Sequence, residues 1–458
     1  MPKPRKSGSK AAEKPAAKPA RQAEAVVAPA TPQEAKAARA APAPDSRTGA
    51  IIDRRAANRL RNGHVWVYKT DIEALDLADS SAPPRLIPVA DSRGLLLGTA
   101  LYSPASQITL RMVSREAIDE PAWLKLIETR LRSAIERRLP ILKNEESRSY
   151  SCRLCFSEAD ELPGIVIDKY GPLIVLQLLA KGLDSAEVRE VCIRVLREDR
   201  VLFPAAIVER PDPRIRELEG LSAPATAPLW VREGTESPTR TQFRLNGLLF
   251  HFDADAGQKT GAFLDQHANY NAAQQWAWLL APGGRALDVC TYQGGFALHL
   301  ARVSKRVTGI DASRASLEVA ERNLEANRGQ LGAEVDWVEG DAFAVLREWS
   351  DAGEKFDTIV LDPPAFAKSQ RAVEGALRGY KELNLRAMKM LRPRGLLVTC
   401  TCSHHVGWAD FEATVASAAA DAHRRVRLLA RRGAAPDHPV VLNLPETEYL
   451  KCLILEVE

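Results

Sequence analysis

Residues 285–303 read RALDVCTYQGGFALHLARV, an apolar run followed by a glycine pair and a second apolar segment. RALDVCT has the pattern of a buried strand, and GGFALHLARV has the spacing of a helix. The glycines between them let a ligand approach the backbone closely. Because the loop is not a clean G-x-G-x-x-G, it is weak evidence for a nucleotide site when taken alone.

The same alternation of strand and helix continues outward from this stretch to the end of the chain. The further predicted strands are RVTGIDAS, EVDWVEGD, FDTIVLDPP, GLLVTCTC and EYLKCLILEV. The predicted helices between them are RASLEVAERNLEANR, AFAVLREWS, GALRGYKELNLRAMKML and ADFEATVASAAADAH. Repeated β-α-β units with apolar strands predict an α/β fold with a doubly wound, mostly parallel sheet and helices on both faces.

The predicted strand ends carry carboxylates at the edge where sheets of this kind bind ligands. The first four strands end in Asp288, Asp311, Asp341 and Asp362. Asp311 is placed to accept hydrogen bonds from ribose hydroxyls, and Asp341 from an adenine amine. A helix N-cap explains any single aspartate about as well, but four in order favour a ligand. Since the phosphate-binding G-x-x-x-x-G-K-S/T is absent, we expect a nucleoside without a polyphosphate, S-adenosylmethionine.

Length and composition limit the class of protein to which the chain can belong. With 458 residues and 45% hydrophobic residues it can build roughly three domains. We expect neither a membrane helix nor a secretory signal. Seven cysteines, an odd number, do not suggest a disulfide framework. A reducing, cytoplasmic location is therefore expected.

Four regions are predicted along the chain. Residues 1–49 form a basic tail rich in Ala, Pro and Lys, which we expect to be disordered. Residues 50–115 show short strand signals typical of a small β-barrel. Residues 116–245 mix helical and strand patterns and predict an α+β middle domain. Residues 246–458 hold the alternating pattern.

Six stretches taken together resemble one protein family. They are KTGAFLDQH (259–267), CTYQGGFAL (290–298), LDPPAFAKS (361–369), RGYKELN (378–384), TCTCSHH (399–405) and PDHPV (436–440). They resemble large ribosomal RNA methyltransferase I, a family of bacterial cytosine-carbon-5 methyltransferases. The resemblance spans roughly residues 50–458, and implies a PUA-like RNA-binding domain, an EEHEAD-like middle domain and a class I methyltransferase domain.

The resemblance implies roles for particular residues. Donor binding is expected to use Asp288, Tyr292, Gly294, Asp311, Asp341, Asp362, Lys259 and Gln266. Lys259 and Gln266 belong to the motif that packs over the cofactor in this family. The expected partner is ribosomal RNA. No metal site is expected, because Cys152-x-x-Cys155 lacks a second ligand pair. The sequence is compatible with a homodimer but does not determine the oligomeric state.

Cys400 and Cys402 raise the question of a nucleophile. Carbon 5 of a pyrimidine is a poor nucleophile, and a thiolate that adds to carbon 6 activates it. By resemblance the nucleophile is Cys402, which also lies closer to the carboxyl end of the strand. Cys400 is expected to be structural, and Asp362 to stabilise charge on the base. Without the resemblance, a cysteine in an apolar strand is usually inert.

Some positions depart from the family pattern, and two other functions remain open. Ala365 follows Asp-Pro-Pro where many RNA cytosine methyltransferases carry a second cysteine, so water, His404 or His405 has to take the carbon-5 proton. His267 replaces an expected arginine.

One alternative function is methylation of an exocyclic amine of guanine, which needs no cysteine. The other is a non-catalytic RNA-binding protein.

Overall fold

The computed structural model describes residues 49–77, 85–143, 149–210, 212–221, 226–255 and 262–458. The predicted tail, apart from Gly49, and Lys259 lie outside the described residues. None of the described helices is long and apolar enough to cross a membrane.

The first region is a six-stranded mixed sheet with one helix. Its strands are β1 (Gly49–Ile52), β2 (Trp66–Tyr68), β3 (Ile72–Asp76), β4 (Leu86–Asp91), β5 (Leu96–Tyr102) and β6 (Ile108–Ser114). They are ordered β2-β6-β5-β4-β1-β3. Helix α1 (Arg54–Arg61) begins after Asp53, whose side chain accepts a hydrogen bond from the Ala56 amide at 2.6 Å. The last strand ends next to residue 115, the predicted boundary.

The middle region packs helices on a second sheet. Its elements are α2 (Glu120–Lys143), β7 (Ser151–Phe156), β8 (Ile165–Tyr170), β9 (Leu173–Leu178), α3 (Ala186–Glu198), β10 (Ala206–Glu209), α4 (Pro213–Leu218) and β11 (Trp230–Val231). The sheet is ordered β11-β10-β9-β8-β7. A hairpin of β12 (Arg240–Leu245) and β13 (Leu248–Asp253) follows and spans the predicted boundary at 245/246. That boundary stays a prediction.

The C-terminal region has the predicted doubly wound sheet. Its strands are β14 (Arg285–Val289), β15 (Arg306–Asp311), β16 (Glu334–Glu339), β17 (Phe356–Leu361), β18 (Leu391–Thr401), β19 (Val426–Arg432) and β20 (Lys451–Val457). Its helices are α5 (His267–Leu280), α6 (Gly295–Leu300), α7 (Arg314–Asn327), α8 (Ala342–Asp351), α9 (Val373–Met390) and α10 (Trp408–Asp421). The strand order is β16-β15-β14-β17-β18-β20-β19, with β20 antiparallel to its neighbours. The α/β prediction is confirmed.

Alternation along the central strands builds two cores, one on each face of this sheet. Val360, Val398 and Cys400 pack into one cluster, whereas Leu361 and Leu397 pack into the other. Side chains of a strand point alternately to opposite faces, and both faces are covered by helices. Strand β19 was not predicted, because this edge strand has a partly exposed pattern rich in arginine.

Candidate active site

The glycine loop after β14 has an unusual backbone. Cys290, Tyr292 and Gly294 all have positive φ, at 64°, 53° and 86°. A Cβ atom at Gly294 would lie 3.1 Å from the Trp337 ring, so a larger residue is disfavoured there. Strained backbone of this kind is concentrated at ligand sites. The loop is therefore shaped for a ligand, as the glycines predicted.

The carboxyl group of Asp288 supports this loop through hydrogen bonds. It is fully buried, and its Oδ2 accepts hydrogen bonds from Thr291 Oγ1 at 2.5 Å and from the Ala297 amide at 2.9 Å. Its buried Oδ1 has no hydrogen-bond partner among the described residues. Burial raises the pKa of Asp288 to about 7. The structure gives Asp288 a positioning role for the loop and leaves one oxygen as an acceptor.

The next two strand-end acids have different surroundings. Asp311 is partly buried and accepts hydrogen bonds from the amides of Tyr292 at 2.9 Å and Ser313 at 2.8 Å. It thus joins the glycine loop to the end of β15. Asp341 is exposed and caps α8 by accepting from the Ala344 amide at 2.9 Å. The N-cap alternative therefore describes Asp341 as observed, and its contact with adenine stays a prediction.

Asp362 and Gln266 meet at the end of β17. Gln266 is buried, and its Nε2 donates to Asp362 Oδ1 at 2.9 Å. Burial first, then the charges of Asp265 and Asp288, raises the pKa of Asp362 to about 8. Phe263, just before Gln266, packs edge-on against the Tyr292 ring with centroids 5.0 Å apart. The motif before the first strand thus lies over the glycine loop.

The two cysteines occupy different environments. Cys400 is completely buried opposite Cys452 in the sheet. Burial, followed by the hydrogen bond with Cys452, raises the pKa of Cys400 well above its ordinary value. Cys402 is partly exposed and lies one residue beyond β18, so strand alternation does not fix its orientation. Cys400 therefore has the surroundings of an inert thiol.

A hydrogen-bond network fixes the backbone on both sides of Cys402. Thr401 Oγ1 donates to the Tyr380 hydroxyl at 2.8 Å, and the Tyr380 hydroxyl lies 2.9 Å from Ser403 Oγ. Ser403 Oγ also accepts from the Ala367 amide at 3.2 Å, in the loop that follows Asp-Pro-Pro. Tyr380 was not among the predicted site residues, although it lies in RGYKELN, one of the motifs that carry the family resemblance. No sequence signal links Tyr380 to Thr401 and Ser403, which lie 21 and 23 positions further along the chain.

Lys451 is a second residue that the sequence analysis missed. It is 3% exposed and pairs with Thr401 across the antiparallel strands. Burial lowers the pKa of Lys451, while Glu448 and Cys402 oppose that shift, which puts Cys402 within electrostatic reach of the ammonium group. The signal in EYLKCLILEV was a lysine at the start of a largely apolar strand.

The Cys152-x-x-Cys155 pair lies inside β7, where both side chains are completely buried. Among the residues that the structure describes, no cluster of His, Cys, Asp and Glu could hold a metal ion. All seven cysteines are free of disulfide bonds.

The chain matches known families in two places. Residues 50–115 match the PUA-like domain, and residues 216–452 match the S-adenosylmethionine-dependent methyltransferase. A proposed S-adenosylmethionine-dependent methyltransferase from Streptococcus mutans shares the fold, with a TM-score of 0.72, 18% identity, and coverage of 89% of this chain and 100% of the other. A methyltransferase-like structure in complex with S-adenosylhomocysteine gives a TM-score of 0.73 at 18% identity, with the same coverage of both chains.

Curated relatives are more similar in sequence. Ribosomal RNA large subunit methyltransferase I of Pseudoalteromonas translucida is 36% identical over 407 residues, which cover 87% of this chain and 96% of the relative. The protein of the same name from Erwinia tasmaniensis is 35% identical over 402 residues, covering 88% and 97%.

The glycine loop, the acids at successive strand ends and the strand order define an S-adenosylmethionine-dependent methyltransferase. The chain belongs to the ribosomal RNA large subunit methyltransferase I family. The donor fits the residues present, because a glycine loop with positive φ, an unpartnered Asp288 oxygen and the Asp311 carboxyl suit a ligand rich in hydroxyl and amino groups.

Proposed function

We propose that this protein methylates carbon 5 of a cytosine in large-subunit ribosomal RNA, with Cys402 as a covalent nucleophile. The rRNA substrate is suggested by the names of the curated relatives. The observation that carries the mechanism is the network of Tyr380, Thr401 and Ser403, which fixes the backbone around Cys402 beside the Asp-Pro-Pro loop. The network thereby holds the segment that carries Cys402 against the loop that follows Asp362.

The proposed reaction balances in three steps. The Cys402 thiolate adds to carbon 6 of the base, and the electron pair of the 5,6 double bond makes carbon 5 nucleophilic. When bound, the donor would supply an electrophilic methyl group on a sulfonium; carbon 5 takes the methyl group, the carbon–sulfur bond breaks, and an uncharged thioether leaves. A base then removes the carbon-5 proton, the 5,6 double bond forms again, and the thiolate leaves.

Asp362 is proposed to act on the base as a neutral acid. Its pKa, raised to about 8, keeps the carboxyl group protonated near neutral pH. A protonated carboxyl group can donate a hydrogen bond to the ring, where negative charge develops as the thiolate adds. Gln266 fixes the orientation of Asp362 through the bond to Oδ1.

Lys451 is proposed to stabilise the thiolate form of Cys402. A cation beside a cysteine favours the reactive thiolate. Lys451 is a suitable cation because it pairs with Thr401 at the end of β18, within electrostatic reach of Cys402. Its Nζ donates to the Tyr449 carbonyl at 3.4 Å.

His404 is proposed to take the carbon-5 proton in place of the missing second cysteine. Desolvation first, then Lys451 and His405, lowers the pKa of His404, so its imidazole is neutral and able to accept a proton. Its ring lies 5.5 Å from that of Tyr449, and both residues line one cavity of about 410 Å³.

The PUA-like region is proposed to contact RNA through α1. Arg54 and Arg55 are exposed, whereas Arg59 and Arg61 are bound to Asp71 and Asp91 at 2.5 Å each. Arg54→Gln with Arg55→Gln should weaken RNA binding most at low salt and reduce the salt slope by about one to two. An unchanged slope would move the RNA surface elsewhere.

Mass mapping of large-subunit rRNA tests the proposed function. RNA from cells with and without the protein should differ by one 5-methylcytosine. Complementation with Cys402→Ala should fail to restore it. A methylated guanine amine that persists with Cys402→Ala would favour the exocyclic-amine alternative, and rRNA identical in both cells would favour the non-catalytic one. A cytoplasmic location and a homodimer stay predictions.

A further inference from the structure

Arg432, the last residue of edge strand β19, is held by neutral partners. Its Nε donates to Asn269 Oδ1 at 2.9 Å, and a terminal nitrogen donates to the Ala268 carbonyl at 3.3 Å. Among the residues that the structure describes, no carboxylate forms an ion pair with Arg432. The preceding residue, Arg431, instead pairs with Glu412 on α10 at 2.5 Å, on the opposite face of the sheet. The charge of Arg432 therefore lies against two oxygens of α5.

Hydrogen bonds continue from Arg432 to Asp362 through two amide side chains. Asn269 Nδ2 donates to Gln266 Oε1 at 2.7 Å, and Gln266 Nε2 donates to Asp362 Oδ1 at 2.9 Å. Asn269 is completely buried and Gln266 is 3% exposed, so solvent does not compete for these two bonds. The four residues form an amide relay. All its donors point from β19 toward Asp362, and hydrogen bonds aligned in this way polarise and strengthen one another.

The direction of both amides follows from groups that cannot exchange donor and acceptor roles. A guanidinium group has donors and no acceptor, so Asn269 must present its oxygen to Arg432. Asn269 Nδ2 also donates to the Gly433 carbonyl at 3.1 Å, and a carbonyl group can only accept. The amide of Asn269 is thus fixed from two sides, with its NH₂ group toward Gln266. Gln266 accepts through Oε1, which leaves its own NH₂ group for Asp362.

The relay determines which oxygen of a neutral Asp362 carries the proton. Among the described residues, Gln266 provides the only hydrogen bond to this carboxyl group. The carbonyl oxygen of a neutral carboxyl group is the better acceptor, so a donor at Oδ1 places the proton on Oδ2. Asp362 also lines the crevice beside the glycine loop. With the opposite amide orientation, Oδ1 would hold the proton and donate it to Gln266.

We propose that Arg432 and Asn269 are positioning residues for Asp362, which keep its Oδ1 as an acceptor so that Oδ2 donates to the RNA base. The inference rests on the proposed function and adds the residues that set the direction of this hydrogen bond. Arg432 and Asn269 act through Gln266 and do not touch the base themselves. Their loss should therefore change the chemical step and its pH dependence.

Methyl incorporation into large-subunit rRNA from cells without the protein, measured with the full-length enzyme from about pH 6 to about pH 9, tests the inference. The proposed role needs a protonated Asp362, whose pKa burial raises to about 8, so the wild-type rate should fall above that pH. Arg432→Met should lower kcat at least about tenfold, because the amides can then reverse. The basic limb of the profile should move to higher pH, since a carboxylate that loses its donor forms less readily.

Arg432→Lys keeps a cation that cannot accept, so it should restore part of kcat and of the limb position. Arg431→Met, which removes an exposed ion pair on the same strand, is the matched control and should behave like the wild type. Asn269→Asp keeps the size of the side chain and an acceptor for Arg432, but has no NH₂ group. Gln266 should then turn its oxygen toward Asp362, with the same loss of kcat and the same movement of the limb.

The titratable groups around Asp362 are the same in every variant, so they do not cause a difference between variants. They are Asp265, Asp288, Tyr270, Cys290 and Cys400. A wild-type profile without a basic limb would overturn the inference. Wild-type kcat in both Arg432→Met and Asn269→Asp would do the same, as would a lower kcat with an unmoved limb, which indicates a structural role. The proposed function fails separately, through rRNA mapping that finds a modified base other than 5-methylcytosine, because methyl incorporation is measured whichever base receives it.

Discussion

Gln266 Nε2 donates to Asp362 Oδ1 at 2.9 Å, joining two residues 96 positions apart in the chain. Gln266 Oε1 accepts in turn from Asn269 Nδ2 at 2.7 Å, so its amide has one fixed orientation. The bond connects the segment that precedes β14 to Asp362, which directly follows β17. The protonation state of Asp362 therefore depends on burial and on contacts that form only in the folded protein.

Turnover should depend on pH through Asp362. Burial raises its pKa to about 8, so the carboxyl group is protonated at neutral pH and ionises as the pH rises. The proposed hydrogen bond from Asp362 to the base needs the protonated form. The rate of methyl transfer should therefore fall as the pH rises through about 8.

Initial rates of methyl transfer between about pH 6 and about pH 9 measure this basic limb. Asp362→Asn cannot ionise, so its lower rate should lack the limb, while the bond from Gln266 to a side-chain oxygen is kept. A rate that stays constant through about pH 8 in the wild type would contradict the assignment of a neutral Asp362.

Cys402→Ala should abolish methyl transfer and keep donor binding, because the carbon-6 adduct cannot form. Cys400→Ala should retain turnover and lose about 1 kcal/mol of unfolding free energy, as expected for a small buried side chain. RNA with 5-fluorocytosine at the target should be trapped covalently by the wild type and by Cys400→Ala only. Gel mobility of the protein–RNA adduct provides the measurement. Full activity of Cys402→Ala, or trapping through Cys400, would refute the assignment.

Asp311→Ala should weaken donor binding by about 1–3 kcal/mol, because an acceptor for ribose hydroxyls and the support of the Tyr292 amide are both removed. Calorimetric titration with S-adenosylmethionine measures the loss. Asp336→Ala on the adjacent strand β16 is the control, since its exposed ion pair with Arg306 should contribute little. Equal affinities of Asp311→Ala and the wild type would exclude Asp311 from the donor site.

Lys451→Met should lower turnover and move the acidic limb of the pH–rate profile to higher pH, because a thiol without its neighbouring cation ionises less readily. Lys451→Arg keeps the charge and should restore part of the rate and the original limb. The profile distinguishes this role from a structural one. A loss of rate in Lys451→Met with no movement of the limb would indicate that Lys451 only stabilises the fold.

His404→Gln should slow the last chemical step and accumulate the covalent intermediate on ordinary RNA, because removal of the carbon-5 proton is impaired. His405→Gln is the neighbouring control and should release product at the normal rate. Rapid denaturation during turnover, followed by quantification of protein-linked RNA, measures the intermediate. If neither variant accumulates it, water is the better candidate for the base.

The local pattern of the chain was enough to predict the sheet and its ligand edge. Apolar strands separated by amphipathic helices have few ways to bury both faces of a sheet, so the pattern of residues 285–401 predicts this architecture. The strand-end acids followed from the same reasoning. Edge strand β19 was not predicted, because its arginine-rich sequence lacks the apolar pattern of a buried strand.

Residue types and their order therefore established the methyltransferase class, the glycine loop and the pair of candidate cysteines. Folding established the rest, because it brings together groups that are far apart in sequence. Tyr380 meets Ser403, Lys451 pairs with Thr401, and Tyr449 binds Asp265 across 184 positions. No spacing rule predicts such contacts, since they depend on how sheets, helices and loops pack. Their burial also shifts the pKa of Asp362, a property that a carboxyl group acquires only inside the folded protein.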